Sequence, residues 1–154
     1  MITLQPVTRD NWQEALELTV APEQLRFVAA YAPVALVGLA KAYVRPAGRL
    51  WLPFAFHDGM KLVGFVALAY QPDDPAEAWI NHFFIDQRYQ GQGLGAAALQ
   101  ALQATVGAQF PQIRRLNLTV HPENTRAQHV YLTAGYHPTG AESHGEPVYS
   151  LNLG

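Results

Sequence analysis

Three glycines at alternate positions make up the stretch of this sequence whose spacing most directly indicates chemistry. Gly91, Gly93 and Gly95 lie between an apolar, strand-like run over residues 78–85 and an alanine- and leucine-rich run that begins near Leu94. Because glycine has no side chain, the backbone N–H groups of such a turn can come close to a ligand. The N terminus of a following helix adds a positive dipole end at the same point. The sequence therefore predicts an anion-binding site, most often one for a phosphate.

The turn matches two known phosphate-binding patterns, whereas the P-loop pattern is absent. No G-x-x-x-x-G-K-[ST] sequence occurs, which removes the P-loop. The dinucleotide pattern G-x-G-x-x-G/A matches Gly91, Gly93 and Ala96, but it also needs an acidic residue about 20 positions later, and residues 114–120 contain no carboxylate. The pattern Q/R-x-x-G-x-G/A matches the run from Gln90 to Gly95. A third interpretation is that the glycines serve only a tight turn and a helix start.

Length and composition favour one globular domain over residues 1–154. Hydrophobic residues make up 49% of the chain and charged residues 14%, which is enough to fill a core. The net charge is −2 without a basic cluster, so we expect neither a nucleic-acid partner nor an anionic membrane surface. The chain has no cysteine, no signal-peptide pattern at its N terminus and no uninterrupted apolar run of about 18 residues. We therefore expect a soluble, cytoplasmic protein.

Metal and serine-hydrolase chemistry are not indicated. The six histidines contain no H-E-x-x-H sequence and no pair four residues apart, so no metal site is predicted. Neither Ser143 nor Ser150 lies in a G-x-S-x-G sequence, which disfavours a serine nucleophile.

The segments before the glycine turn are predicted to be helices followed by an antiparallel meander. They are, in chain order, a strand from Ile2, a helix around Trp12, one or two helices over residues 24–43 broken near Pro33, and strands over residues 52–57, 61–70 and 78–85. Asp58-Gly59 is a strong hairpin signal between the second and third strands. Both alternating faces of residues 61–70 are apolar, which is typical of a central strand covered on both sides. Residues 71–77 contain two prolines and two aspartates and are predicted to be a loop.

The segments after the turn continue the alternation of helix and strand. We predict a helix over residues 94–108, a strand over residues 116–120, a helix capped by Asn124 and ended near Gly135 and Pro138, and a last strand over residues 148–152. The order β, helices, βββ, α, β, α, β predicts a mixed α/β (α+β) fold. Its core is a central, mostly antiparallel sheet of about six to seven strands with flanking helices.

A second motif agrees with the glycine turn. It is Asn124-x-x-Ala127-x-x-x-Tyr131-x-x-x-Gly135-Tyr136, one strand further along the chain. The two motifs resemble the acetyl-CoA pyrophosphate loop and the N-x-x-A-x-x-x-Y-x-x-x-G-[FY] helix of the GNAT superfamily of N-acetyltransferases, and the resemblance covers essentially the whole chain. Detailed similarity is closest to the bacterial spermine/spermidine acetyltransferases, in the runs Val7-Thr8-x-Asp10-Asn11-Trp12, Leu62-Val63-Gly64-Phe65-Val66 and Phe84-Ile85-Asp86-x-Arg88-Tyr89-Gln90-Gly91.

The resemblance implies that acetyl-CoA is the co-substrate and that no metal takes part. It also implies a splayed fourth strand, whose backbone at Phe83, Phe84 and Ile85 hydrogen-bonds the pantetheine arm. The remaining cofactor contacts implied are Gln90, Gly91, Gln92, Gly93, Leu94, Gly95, Ala96, Asn124 and Ala127.

Tyr131 is the predicted proton donor to the departing thiolate, because it is the tyrosine at the matching position of the family's helix. A phenol with a pKa near 10 is protonated at neutral pH and can donate to a thiolate. The alternative is that Tyr131 is a core aromatic residue on the face of the helix shared with Ala127 and Ala134.

The general base is where the sequence departs from the resemblance. Similar polyamine acetyltransferases carry a carboxylate on the fourth strand, at the position that is Asn81 here. An amide can orient a water or the amine but is no base. We predict water-relayed deprotonation positioned by Asn81. His82 is an alternative base, although strict alternation directs it to the opposite face of the strand, and it can instead be a strand residue whose imidazole is satisfied by hydrogen bonds. A further alternative is Glu77 acting through a water.

Two function classes follow from these residues and the resemblance. The first is acetyl transfer from acetyl-CoA to a primary amine of a small molecule, with a polyamine as one acceptor, by direct attack in a ternary complex. Acceptor amines on proteins are a variant of it. The second is a catalytically weak acyl-CoA-binding or regulatory protein that has lost its base. A homodimer is compatible with the resemblance, but no interface is indicated.

Overall fold

The computed structural model describes all 154 residues, which form seven strands and five helices. The strands are β1 (Ile2–Pro6), β2 (Leu50–Asp58), β3 (Lys61–Gln71), β4 (Asp74–Ile85), β5 (Arg115–Thr119), β6 (His137–Ser143) and β7 (Glu146–Asn152). The helices are α1 (Trp12–Glu17), α2 (Leu25–Val28), α3 (Val34–Val44), α4 (Leu94–Gln109) and α5 (Thr125–Thr133). None of these helices combines the length and apolarity that a membrane crossing needs.

The strands form one sheet in the order β1-β2-β3-β4-β5-β7-β6. All neighbours are antiparallel except β4 and β5, which are parallel and are connected through α4. The predicted mixed fold with a mostly antiparallel sheet is thereby confirmed. The β4–β5 pairing covers only Glu77–Trp79 against Arg115–Asn117. Beyond Trp79 the two strands separate, so the sheet opens into a cleft in its middle.

Helices cover both faces of the sheet, and each face has its own core. One core contains Val63 and Val66 of β3 with the predicted apolar stripe of α4, whose residues Ala98, Leu99, Leu102 and Val106 are buried. The other contains Leu62 and Phe65 of β3 packed against α1 and α3. Because β3 contributes to both, its prediction as a central strand covered on both sides is confirmed.

Two segments differ from the sequence-based expectation. Residues 71–77 are not a loop, because β3 extends to Gln71 and pairs there with Asp74 of β4. Pro75 is tolerated because the pairing of β3 with β4 is irregular between Ala69 and Gln71. The strand β6 was not predicted at all. Pro138 suggested a break, but β6 is the last strand of the sheet, where a proline can be accommodated, and its mostly exposed residues give no alternating pattern.

Strand β4 has a bulge shortly after its pairing with β5 ends at Trp79. Phe84 pairs with Phe65 and Asn81 pairs with Ala67, so His82 and Phe83 together face the single residue Val66. His82 has a φ of 56°, which is unusual for a residue other than glycine. A bulge of this kind bends a strand and changes the direction of its side chains.

Candidate functional site

The separation of β4 from β5 creates a cleft with a volume of about 1280 Å³. The second half of β4 forms one wall, and the end of β5 with the first turns of α5 forms the other. The glycine turn closes one end. The cleft is lined by fourteen of the fifteen residues predicted for the site, namely Asn81, His82, Phe83, Phe84, Ile85, Gln90, Gly91, Gly93, Leu94, Gly95, Ala96, Asn124, Ala127 and Tyr131. Gln92 lies in the same turn, but its side chain is exposed outside the cleft.

The glycine turn presents unpaired backbone donors to the cleft. Gly91 and Gly93 have φ angles of 78° and 77°, a region that favours glycine. Helix α4 starts directly after Gly93 without a side-chain cap and without an acidic residue in its first turn. The N–H groups of Leu94, Gly95 and Ala96 have no backbone partner, as expected for the first turn of a helix. A Cβ atom on Gly95 would meet nothing within 4 Å. The turn can therefore bind an anion.

Gln90 attaches the turn to the end of β4. Its side-chain Nε2 donates to the carbonyl oxygen of Ile85 at 2.8 Å, and its amide pairs with the amide of Gln24 at 3.1 Å. The side chain of Gln90 is therefore engaged within the protein, and only its backbone is available to a ligand.

Asp86 connects the same turn to the N-terminal segment. Its carboxylate is fully buried and accepts hydrogen bonds from the backbone N–H groups of Thr19 and Arg88 and from the Arg88 side chain, at 2.8–2.9 Å. Burial alone would raise the pKa of Asp86, but the hydrogen bonds from Arg88 and Thr19 outweigh it and the pKa is lowered. Asp86 lies in a run that carried the resemblance, but no role was predicted for it.

Tyr131 belongs both to the core and to the cleft. Asn124 caps α5 as predicted, with its side-chain oxygen accepting from the N–H of Ala127 at 3.3 Å. One turn further, Tyr131 packs between Phe83 and Tyr136, with ring centroids 6.3 and 5.9 Å away. Its side chain is buried yet lines the cleft, and burial raises its pKa. The core and catalytic interpretations of Tyr131 are therefore compatible.

The bulge in β4 brings Asn81 and His82 to the same side of the sheet, so the expectation that His82 faces away from Asn81 was wrong. The imidazole of His82 contacts α2 and α3 and stacks on Trp51, with ring centroids 6.2 Å apart. Phe83 instead packs against the core under α4 and α5. Strict alternation fails because the residue at positive φ interrupts the pleat.

The hydrogen bonds of His82 define its protonation state. Nδ1 lies 2.7 Å from the carbonyl oxygen of Val28, which can only accept, so Nδ1 carries a proton. Nε2 lies 3.0 Å from Nζ of Lys41, which can only donate, so Nε2 presents its lone pair. Burial lowers the pKa of His82, the bond to Val28 opposes that effect, and the Lys41 cation adds to it. The ring is therefore neutral at pH 7.

Of the other two candidate residues for the base, Asn81 lies in the cleft and Glu77 lies outside it. Asn81 lines the cleft and donates from Nδ2 to the carbonyl oxygen of Trp79 at 3.2 Å, which leaves its Oδ1 without a protein partner. Glu77 does not line the cleft and forms an ion pair with Arg115 at 3.0 Å.

Lys41 is a cleft residue that the sequence interpretation missed. It is the only charged residue of α3, and its Nζ also lies 4.8 Å from the centroid of the Trp51 ring. A single cation in an otherwise apolar helix was the available signal, but its partner His82 is 41 positions away.

The chain is similar to known acetyltransferases in sequence and in fold. The model of the acetyltransferase (GNAT) family matches residues 7–136. The spermine/spermidine N(1)-acetyltransferase of Bacillus subtilis (strain 168) is 30% identical, over 99% of this chain and 99% of its own length. The spermidine N-acetyltransferase of Vibrio cholerae, solved with CoA and spermine, has a TM-score of 0.74 at 17% identity, over 99% of this chain and 95% of its own. An aminoglycoside acetyltransferase solved with coenzyme A has a TM-score of 0.78 at 18% identity, with the same coverage.

Proposed function

This chain belongs to the acetyltransferase (GNAT) family, and we infer from it that the protein is an acetyl-CoA-dependent N-acetyltransferase whose acceptor is a primary amine of a small molecule. The observation that carries the proposal is the cleft where β4 leaves β5, with the unpaired N–H groups of the glycine turn at one end. An elongated thioester with a phosphate-bearing end matches both features.

Acetyl-CoA would occupy the cleft along β4. The N–H groups of Leu94, Gly95 and Ala96 would bind the pyrophosphate, since an uncapped helix N terminus favours negative charge. The pantetheine arm would lie against the part of β4 that β5 no longer pairs, at residues 83–85. Asn124 and Ala127 at the start of α5 would form the opposite side.

Tyr131 would protonate the departing sulfur. The amine nitrogen attacks the thioester carbon, a C–N bond forms, the C–S bond breaks, and the CoA thiolate takes the hydroxyl proton of Tyr131. The nitrogen releases its remaining surplus proton, which restores the tyrosine. Because burial raises the pKa of Tyr131, the hydroxyl is protonated throughout the neutral and mildly alkaline range.

His82 is the residue that we propose as the base for the acceptor ammonium. It is neutral, it lines the cleft, and its Nδ1–H is held by Val28, so that its basic Nε2 is oriented by the fold. Asn81 would orient the amine or a water through its free Oδ1. The sequence-based prediction favoured a water positioned by Asn81 and kept His82 as the alternative base. We now prefer His82, because the bulge turns its side chain to the same side of the sheet as Asn81.

The acceptor class is to be identified by experiment. The Bacillus relative is named for spermine and spermidine, so polyamines form one arm of the test. Free-thiol release from acetyl-CoA should be measured for the purified protein with spermidine, spermine, aminoglycosides, amino acids and a lysine peptide. Turnover with one amine class that is lost in Tyr131→Phe supports the proposal. Binding of acetyl-CoA without turnover of any amine supports a catalytically weak acyl-CoA-binding protein instead.

We further propose that the protein is cytoplasmic and forms a homodimer. A cytoplasmic location fits a co-substrate that is made and used in the cytoplasm, and fractionation of cells that express the protein tests it. Homodimerisation stays a prediction, for which sedimentation velocity is the measurement.

A further inference from the structure

Lys41 places a positive charge in the cleft without a counterion from the protein. The four ion pairs of the molecule are Met1–Asp58, Arg26–Glu123, Arg88–Asp86 and Arg115–Glu77, and Lys41 takes part in none of them. Its polar contact is the neutral imidazole of His82, and its Nζ lies over the Trp51 ring. The Lys41 side chain is half-buried, so its charge is partly withdrawn from water, and this burial lowers its pKa. Such a charge gains free energy when a ligand supplies an anionic partner.

The carboxylates of the cleft do not neutralise Lys41. Glu123 is paired with Arg26 at 3.1 Å. Glu146 accepts from the Thr119 hydroxyl at 2.9 Å and belongs to β7, two strands from β4 in the sheet. Two strand spacings correspond to about 10 Å, and the separation of β4 from β5 adds to that distance. The cleft therefore carries Lys41 beside β4 and Glu146 on the opposite wall, with Arg126 of α5 as a second cation that forms no ion pair.

We propose that Lys41 binds an acidic group of the acceptor, so that the preferred acceptor is an amine that also carries a carboxylate or a comparable anion. This inference rests on the proposed N-acetyl transfer. A diamine or polyamine can pair one ammonium with Glu146 but then brings further positive charge towards Lys41. An amine that carries an acid can place the acid at Lys41 and its amine beside His82, which lies 3.0 Å from Lys41, without bringing a second cation into the cleft.

An acid bound to Lys41 also changes the environment of the proposed base. The Nε2 lone pair of His82 accepts from Lys41, and a lone pair that is engaged in this way is less available to a second proton. An acceptor acid that draws the ammonium of Lys41 away leaves Nε2 free. Acceptors with an acid are therefore expected to have a higher kcat as well as a lower KM than acceptors without one.

The test uses three acceptors with the same five-carbon chain: 5-aminopentanoate, 1,5-diaminopentane and pentylamine. For the wild type we expect kcat/KM for 5-aminopentanoate to exceed that for 1,5-diaminopentane by about 10-fold or more, as for a hydrogen bond between charged groups. Lys41→Met should remove this preference and Lys41→Glu should invert it. The ratio between acceptors is the readout, because any general damage to His82 affects all three equally. Lys61→Met is the matched control, since Lys61 is the only other lysine and lies outside the cleft.

An equal or greater preference for 1,5-diaminopentane in the wild type overturns the inference while leaving the proposed function intact. If no amine is turned over, the proposed function fails. Binding of 5-acetamidopentanoate in the presence of CoA, measured by calorimetry, then decides the inference. Its Kd should rise about 10-fold in Lys41→Met and stay unchanged in Lys61→Met, and equal values in all three proteins refute a role of Lys41 in binding the acid.

Discussion

Gly95 offers a clean test of the anion site, because its conformation does not require glycine. Gly91 and Gly93 have positive φ angles, so substitutions there strain the backbone, whereas Gly95 is an ordinary residue of the first turn of α4. A Cβ on Gly95 would point into open space within the cleft. Alanine at this position still satisfies the pattern Q/R-x-x-G-x-G/A, whereas the longer side chain of leucine would displace a phosphate oxygen that accepts from this N–H at about 2.9 Å. Losing one hydrogen bond to a charged group costs about 1.5–3 kcal/mol, so Kd for CoA should rise roughly 10- to 150-fold in Gly95→Leu.

Gly107→Leu is the matched control for this prediction. Gly107 lies in the same helix, a Cβ there also meets nothing within 4 Å, and it does not line the cleft. Both changes replace glycine by a better helix former, so the melting temperature should be unchanged or higher in both. Calorimetric titration with CoA then separates binding from folding. Unchanged CoA affinity in Gly95→Leu would refute the assignment of the turn as the pyrophosphate site.

Three further predictions concern the base, the proton donor and the buried carboxylate. Tyr131→Phe should lower kcat by roughly 10²–10⁴-fold without loss of CoA affinity or melting temperature, because phenylalanine keeps the ring that packs against Phe83 and Tyr136; an unchanged kcat contradicts its role. His82→Gln should lower kcat/KM by about 10²-fold or more. In the wild type the free energy of unfolding should fall below about pH 6.5, because His82 is neutral in the folded protein but binds a proton when the chain unfolds, and in His82→Gln this decrease should be smaller. A urea midpoint that varies with pH as it does in the wild type would argue against this. Asp86→Asn should lower the free energy of unfolding by about 1–3 kcal/mol at pH 7. The lowered pKa of Asp86 means that its contribution is lost progressively as the pH falls from about 4 through the lower pKa of the folded state, so the difference should narrow steadily below about pH 4, and a gap that stays constant there contradicts the assignment.

Local patterns were sufficient for much of the fold. The hairpin at Asp58-Gly59, the two-sided burial of residues 61–70 and the start of α4 at Leu94 depend on neighbouring residues, and all three are present in the structure. The family assignment came from two motifs and is confirmed by a match over residues 7–136. The missed strand β6 lies at an exposed edge, where neither periodicity nor proline is informative.

The cleft itself depends on contacts that a local pattern cannot contain. Lys41 and His82 meet across 41 positions, Gln24 and Gln90 across 66, and Thr19 and Asp86 across 67. The glycine turn could be recognised because its chemistry is held in consecutive residues. The acceptor side could not, because each of its polar groups comes from a different element.

The bulge at His82 links these two halves of the cleft. The pairing of β4 with β5 ends at Trp79, and the irregular pairing of β4 with β3 follows at His82 and Phe83, so the rotation of His82 lies in the part of β4 that β5 no longer pairs. The ring then finds Val28 on α2 and Lys41 on α3, which ties the orientation of the proposed base to the segment that covers the acceptor side. The amide of Gln24, just before α2, holds Gln90 of the glycine turn. The segment over residues 24–28 therefore contacts both the residues proposed to bind the cofactor and the residue proposed to accept the proton, so an acceptor that shifts this segment would affect both.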